Sequence, residues 1–253
     1  MRLLLIRHGE TVDNVAGIFA GVRDSALTTH GVLQAGRLGG HLAARFPSSV
    51  RAVFTSDLQR AARTAAAVRG VCGGERVPLH TTPLLRERHF GPLEGVACRS
   101  SRVHVDDVAE TASSMRARAR RFLDEMLLPL LRLRRSRAED DVVVVVAHGL
   151  FLPKLYACLL ERVPWQSLTL DQELLMSYPG APPPLQPWWS NTAYLECTVM
   201  PDAITGGRAL RMHVLRVNCT THLKYLTRTR GGIGSAPHDA RQRTIDSYFE
   251  KRK

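Results

Sequence analysis

Two histidines in this sequence stand in matching contexts. Each closes a short apolar run and is followed by glycine: Ile6-Arg7-His8-Gly9 and Val146-Ala147-His148-Gly149. An imidazole is neutral near physiological pH, so it can act as a nucleophile or move protons. Either histidine alone reads as a polar cap on a strand end. As a pair they would project into one crevice, provided that the two strands are neighbours. Arginines able to hold an anion (Arg7, Arg60) and carboxylates able to handle a proton (Glu10, Glu87, Glu94) complete the inventory. The ten histidines show no HxxxH-type pairing and the five cysteines never form CxxC. No metal site and no cofactor is expected.

The groups need a scaffold, and the chain alternates strand-like and helix-like stretches. Residues 3–6 and 142–146 are continuous apolar runs, as in strands buried on both faces of a parallel sheet. Residues 50–55 read as another strand, and 191–199 and 210–217 as two more. Thr28 opens a helix whose apolar positions include Val32, Leu38 and Leu42. Ser56 and Gln59 have the spacing of a capping box before the Ala-rich helix 61–68. Residues 113–136 form a longer basic helix with Pro129 inside it. The proline-rich stretch 178–187 is a loop. Such alternation predicts an α/β three-layer sandwich with a mostly parallel central sheet. Ligands of such sheets bind beyond the carboxyl ends of the strands, where both histidines fall.

Arg7-His8-Gly9-Glu10-Thr11 with Asn14, then 19–21, Asp24 and 27–31, then 55–61 around Arg60, then 85–91 and 93–95 around Glu87, and finally 147–149, occur in one order. That ordered set resembles the histidine phosphatase superfamily, in its phosphoglycerate mutase-like branch. The resemblance spans residues 1–226 and implies the family's fold and chemistry. It implies that His8 attacks phosphorus and carries the phosphoryl group, which splits hydrolysis into two displacements. Charge spread over the phosphoryl oxygens needs fixed donors, which the resemblance assigns to Arg7, Arg60, Asn14 and His148. Glu87 becomes the proton donor to the leaving alkoxide, with Glu10 and Glu94 as nearby carboxylates. The substrate is then a phosphorylated small molecule or protein. Arg88, Arg99 and Arg102 are available to a second anionic group on it.

The same resemblance leaves a phosphoglycerate mutase-type phosphotransferase as the alternative. Only 61 positions separate Glu87 from His148, Cys98 stands where the mutase pattern has lysine, and Ala20 where it often has a small hydroxyl residue. Mutases must keep their intermediate from water, and a shorter lid favours hydrolysis.

The 253 residues carry 35 Lys+Arg against 23 Asp+Glu, a formal charge of +12. That suits anionic ligands or a plainly solvated face, and no direct nucleic-acid binding is assigned. No apolar run approaches the roughly 20 residues that span a bilayer. Scattered, odd-numbered cysteines suggest reduced thiols in cytoplasm or nucleus. Residues 227–253 are basic and poor in aliphatics, and read as a disordered tail. Within it, 242–249 resembles the motif by which proteins dock on the replication sliding clamp. Gln242, Ile245, Tyr248 and Phe249 would make the contact. A clamp-binding module with vestigial catalysis is therefore the reading from a different class.

Overall fold

The computed structural model describes residues 1–99, 103–132, 141–176, 187–203, 209–228 and 233–239. Seven strands form one sheet in the order β3-β2-β4-β1-β6-β7-β5. They are β1 (Arg2–Arg7), β2 (Val50–Ser56), β3 (Leu79–Thr82), β4 (Val142–Ala147), β5 (Leu168–Leu170), β6 (Tyr194–Pro201) and β7 (Leu210–Cys219). The pairs β1–β4, β4–β2, β2–β3 and β5–β7 are parallel; β6 runs antiparallel to both β1 and β7. The expected three-layer, mostly parallel architecture is thus the one observed.

The helices are α1 (Val12–Ala16), α2 (Thr29–Arg45), α3 (Gln59–Val71), α4 (Val105–Val108), α5 (Ala112–Phe122), α6 (Leu128–Arg132), α7 (Phe151–Leu160) and α8 (Gln172–Met176). Side chains alternate across a strand, so β1 must serve two cores. Leu4 and Ile6 join α2 and α3 on one face, through Leu38, Leu42, Ala61 and Val68. Leu3 and Leu5 join α5 and α7 on the other, through Phe122, Phe151, Leu152 and Leu155. β4 is buried along its whole length. This is why both strands are written in unbroken aliphatics.

Four expectations need amendment. β3 and β5 have no counterpart in the sequence reading, because strands of four and three residues show too little period to be seen. The expected basic helix is divided: a π-turn at Leu123–Leu127 separates α5 from α6. Pro129 sits just beyond that turn, and its missing N–H and ring explain the local rewinding. Residues 133–140 lie outside the described residues. Ser56 does not cap α3 as expected. The cap position is Leu58, Ser56 Oγ accepts from Leu58 N, and the first helical N–H, on Gln59, is held by Asp24 Oδ1 at 2.7 Å. The fourth concerns the tail.

Part of the stretch expected to be disordered after residue 226 is laid against the domain. Thr29 N donates to Ala236 O at 3.1 Å, His238 N donates to Leu27 O at 3.0 Å, and Pro237 bridges Thr28. Arg228 is ion-paired with Glu10 and donates to Ser235 Oγ. Residues 240–253, and with them Gln242, Ile245, Tyr248 and Phe249, lie outside the described residues. No helix among the described residues is long and apolar enough to cross a membrane.

Candidate active site

The register of the two central strands brings the histidines together. Arg7 on β1 lies opposite Ala147 on β4, so His8 and His148 follow side by side at the carboxyl end of the sheet. Their rings are 5.1 Å apart and both are buried. His8 N also donates to Ala147 O at 3.0 Å. A carbonyl can only accept, so the 2.7 Å contact from His8 Nδ1 to Gly9 O puts the ring proton on Nδ1. The lone pair is therefore on Nε2. Gly9 is required here because a Cβ would lie 2.6 Å from Gly31 O.

His148 has the opposite tautomer. Arg60 Nε donates to its Nδ1 at 3.2 Å, which leaves the proton on Nε2. That Nε2 is buried with no partner among the described residues, and so is Arg7 Nε. Burial holds both imidazoles well below the usual histidine value, and the charges of Arg60 and Arg7 push the same way. Both rings are therefore neutral at physiological pH.

Arg60, in the first turn of α3, is only 1% exposed. Its fork is fixed from three directions. Besides the bond to His148, Nη1 donates to Arg23 O and Nη2 to Gly21 O, each at 2.6 Å. One N–H remains on each terminal nitrogen. Arg7 is anchored by Nη1 to Trp189 O at 2.9 Å. Gly149 keeps clear of it, since a Cβ there would meet Arg7 Cζ and Nε at 3.3 Å. Burial lowers both guanidinium groups from their ordinary value, and Glu87 is the first charge opposing this in each case.

Glu87 thus belongs to the same cluster. Its Oε2 accepts from Leu150 N at 3.0 Å, two residues beyond His148, and its Oε1 accepts from Arg88 N at 2.9 Å. Its loop is held by two other arginines. Arg86 forks onto Asp57, with Nη2 2.6 Å from Oδ2. Arg118 of α5 donates to the carbonyls of Leu84, Arg86 and Glu87, while its guanidinium pairs with Glu110 and covers the Phe151 ring. The competing carboxylates are committed elsewhere. Glu10 accepts from Thr28 Oγ1 and pairs with Arg228. Glu94 accepts from Val22 N and Phe90 N.

Asn14 is in α1, whose N-cap Thr11 it meets in a reciprocal capping box. Its Oδ1 accepts from Thr11 N and Asn191 Nδ2, so its amide nitrogen is the end left for other partners. Asn191 also donates to His8 O, and Thr192 N donates to both Arg7 O and His8 O. Thr192 holds a left-handed backbone, φ 58°, which is costly for a β-branched residue. Its hydroxyl donates to Asn191 O and accepts from buried His222 Nε2 at 3.0 Å. The sequence singles out the segment 188–191 as a wall of the site or a sheet-edge contact, which covers Trp189 and Asn191, but sequence reasoning missed Arg118, Thr192 and His222 as supports. Each acts on a segment distant in sequence and has no local pattern.

Together these groups place one basic nitrogen (His8 Nε2) among fixed donors from Arg7, Arg60 and His148, with a carboxyl group beside them. Such a set can bind a tetrahedral oxyanion, attack its centre and move one proton.

Comparison with known proteins bears on this arrangement. The family model described as histidine phosphatase superfamily (branch 1) matches residues 3–175. The Schizosaccharomyces pombe protein named probable phosphatase C1620.13 is 30% identical over 98% of this chain and 79% of its own length. A 2,3-bisphosphoglycerate-dependent phosphoglycerate mutase of Xanthobacter autotrophicus is 40% identical, but over 37% of this chain and 45% of its own. The solved mycobacterial glucosyl-3-phosphoglycerate phosphatase superposes with a TM-score of 0.62 at 22% identity, covering 86% of this chain and 97% of that one.

Proposed function

Since the chain belongs to the histidine phosphatase superfamily, we propose that it is a phosphatase that hydrolyses phosphomonoesters through a phosphohistidine on His8. The single observation that carries this is the opposed tautomer pair: a lone pair on His8 Nε2 facing proton-bearing donors on His148 and the arginines. His8 Nε2 attacks phosphorus, a P–N bond forms, and the P–O bond to the alcohol breaks. Glu87 gives its proton to the departing oxygen. The same carboxylate then takes a proton from water, the resulting hydroxide attacks phosphorus, and the P–N bond breaks to release inorganic phosphate. Arg7 and Arg60 neutralise the charge on the phosphoryl oxygens throughout, and Asn14 and His148 donate hydrogen bonds to them.

Hydrolysis is favoured over mutase chemistry because the relative aligned over nearly the whole chain is named a phosphatase, whereas the mutase aligns over little more than a third. The test is direct. His8→Ala should abolish hydrolysis of p-nitrophenyl phosphate while leaving the thermal melt in place, and the wild-type enzyme should trap an acid-labile phosphohistidine. Activity that survives the substitution removes the nucleophile.

The tail motif at 242–249 forms a second part of the proposal, supported by its residue pattern. Gln242, Ile245, Tyr248 and Phe249 dock on the sliding clamp, with the three aromatic and aliphatic anchors in an apolar pocket. His238, next to the last described residue, donates its N–H to Leu27 O, so only a few residues separate the motif from the domain. Wild-type chain that fails to retain the clamp in a pull-down, or Tyr248→Ala/Phe249→Ala chain that retains it equally, ends this part.

A further inference from the structure

The chain enters β6 through a turn, residues 190–193, whose backbone is fixed by its own hydrogen bonds. Ala193 N donates to Ser190 O at 3.0 Å, Ser190 N donates to Asn218 Oδ1 at 2.7 Å, and Thr192 Oγ1 donates to Asn191 O at 2.7 Å. From this turn the Asn191 side chain reaches two acceptors that lie 177 and 183 positions away in sequence. Its Nδ2 donates to Asn14 Oδ1 at 3.1 Å and to His8 O at 3.2 Å. An amide nitrogen carries two N–H groups, so both are used inside the protein.

Polarity passes along these contacts in one direction. A backbone carbonyl only accepts, so His8 O dictates that Asn191 meets it with NH2 and not with oxygen. The same NH2 dictates that Asn14 answers with Oδ1. Thr11 N, which only donates, meets that oxygen too, at 3.2 Å. Two donors use both lone pairs of Oδ1, and turning the Asn14 amide over would set donor against donor. Thr11 N alone would leave the amide hinged on one bond. Resting on the reading that Asn14 donates to the phosphoryl oxygens, we infer that Asn191 is a positioning residue for the reaction. It locks the Asn14 amide with its N–H groups toward the phosphoryl group and ties that amide to the backbone of the nucleophile.

The test measures inorganic phosphate as a competitive inhibitor of p-nitrophenyl phosphate hydrolysis by the full-length chain. Asn14→Ala should weaken phosphate binding about 10-fold and Asn191→Ala about 5-fold, the scales of a charge-assisted and a neutral hydrogen bond. The double variant should stay near the loss of Asn14→Ala, about 10-fold, because Asn191 then has no amide to position; independent roles would multiply to about 50-fold. The bond from Thr192 N to His8 O at 3.2 Å does not involve the Asn191 side chain, so the His8 backbone keeps a tether in Asn191→Ala. Wild-type enzyme gives a second reading that needs no variant to fold. By NMR, the Asn191 side-chain amide protons should exchange with solvent at least ~10-fold more slowly than those of Asn14, and the Asn14 pair should shift when phosphate is added. Multiplying losses in the double variant, or an Asn191 amide that exchanges as fast as that of Asn14, overturns the inference alone. Asn14→Ala that binds phosphate like the wild type removes Asn14 from the proposed site, and the inference falls with it. Wild-type enzyme that does not hydrolyse p-nitrophenyl phosphate overturns the phosphatase reading itself.

Discussion

Arg60 Nε donates to His148 Nδ1 across 3.2 Å, and that bond decides which nitrogen of His148 carries its proton. An arginine side chain has no acceptor, so His148 must present Nε2–H. The guanidinium therefore does two things at once. It offers its own remaining N–H groups, and it sets the tautomer of the neighbouring donor.

Lysine cannot reproduce this. Its point charge cannot reach His148 Nδ1, Gly21 O and Arg23 O from fixed directions together. Arg60→Lys should lower kcat for p-nitrophenyl phosphate by about 100-fold, the usual scale for losing one preorganised donor. Arg60→Met should lower it further. The comparison is made by steady-state kinetics with circular dichroism to confirm folding. A lysine variant within a fewfold of wild type would show that charge alone suffices.

The sequence made His8, His148, Arg7 and Arg60 legible because the β1–β4 register is written in two unbroken aliphatic runs that end in step. It hid the supports because these act across the fold. Asp24 holds the start of α3 from a loop 35 positions away. Arg118 clamps the Glu87 loop from α5, and in the sequence it is one of several arginines of a basic helix with nothing to set it apart. Residues 233–239 were hidden by composition. Few aliphatics suggest disorder, yet two backbone hydrogen bonds and the bond from Arg228 to Ser235 Oγ tie this stretch down.

That tie has a consequence for the domain boundary. Glu10 follows directly on the His8 loop and is largely buried, so removing Arg228 leaves a carboxylate short of its cation. A chain ended after Leu226 should melt on the order of 5 °C below one ended after Asp239, the scale of one to two kcal/mol in a domain of this size. Its kcat/KM should fall as well, whereas the longer truncation should match full length. Equal melts and rates for the two truncations, followed by scanning calorimetry and p-nitrophenyl phosphate turnover, would make the 227–239 segment a bystander.

Acid should destabilise the fold through its buried imidazoles. His8 and His148 are held well below 6.5 by burial and by Arg60, and burial lowers His222 to about 4, helped by His41. A depressed folded value means that the unfolded chain binds more protons below pH 6.5 than the native one. Stability is then full above pH 6.5 and declines as pH falls through the window below it, down to about 4 for His222. Urea midpoints should be flat from pH 8 to 7 and drop between pH 6.5 and 4. His222→Gln, which can still bond Thr192 Oγ1, should flatten part of that slope. An unchanged slope would place the proton uptake elsewhere.

Glu87 separates substrates by their need for a proton. Its two oxygens accept from Leu150 N and Arg88 N, which fixes the carboxyl group beside Arg7 and Arg60. Gln at this position keeps the shape and one of the two acceptors but loses the transferable proton. An alkoxide leaves poorly without that proton, while p-nitrophenolate leaves as the anion. Glu87→Gln should therefore cost about 100-fold or more in kcat for an alkyl phosphate, within the usual range for a positioned general acid, and less than about 10-fold for p-nitrophenyl phosphate. The ratio of the two losses is the informative quantity, because simple misplacement of the loop would depress both alike. Equal losses would transfer the proton-donating role from Glu87 to another group, and Glu10 and Glu94 are already bound to other partners.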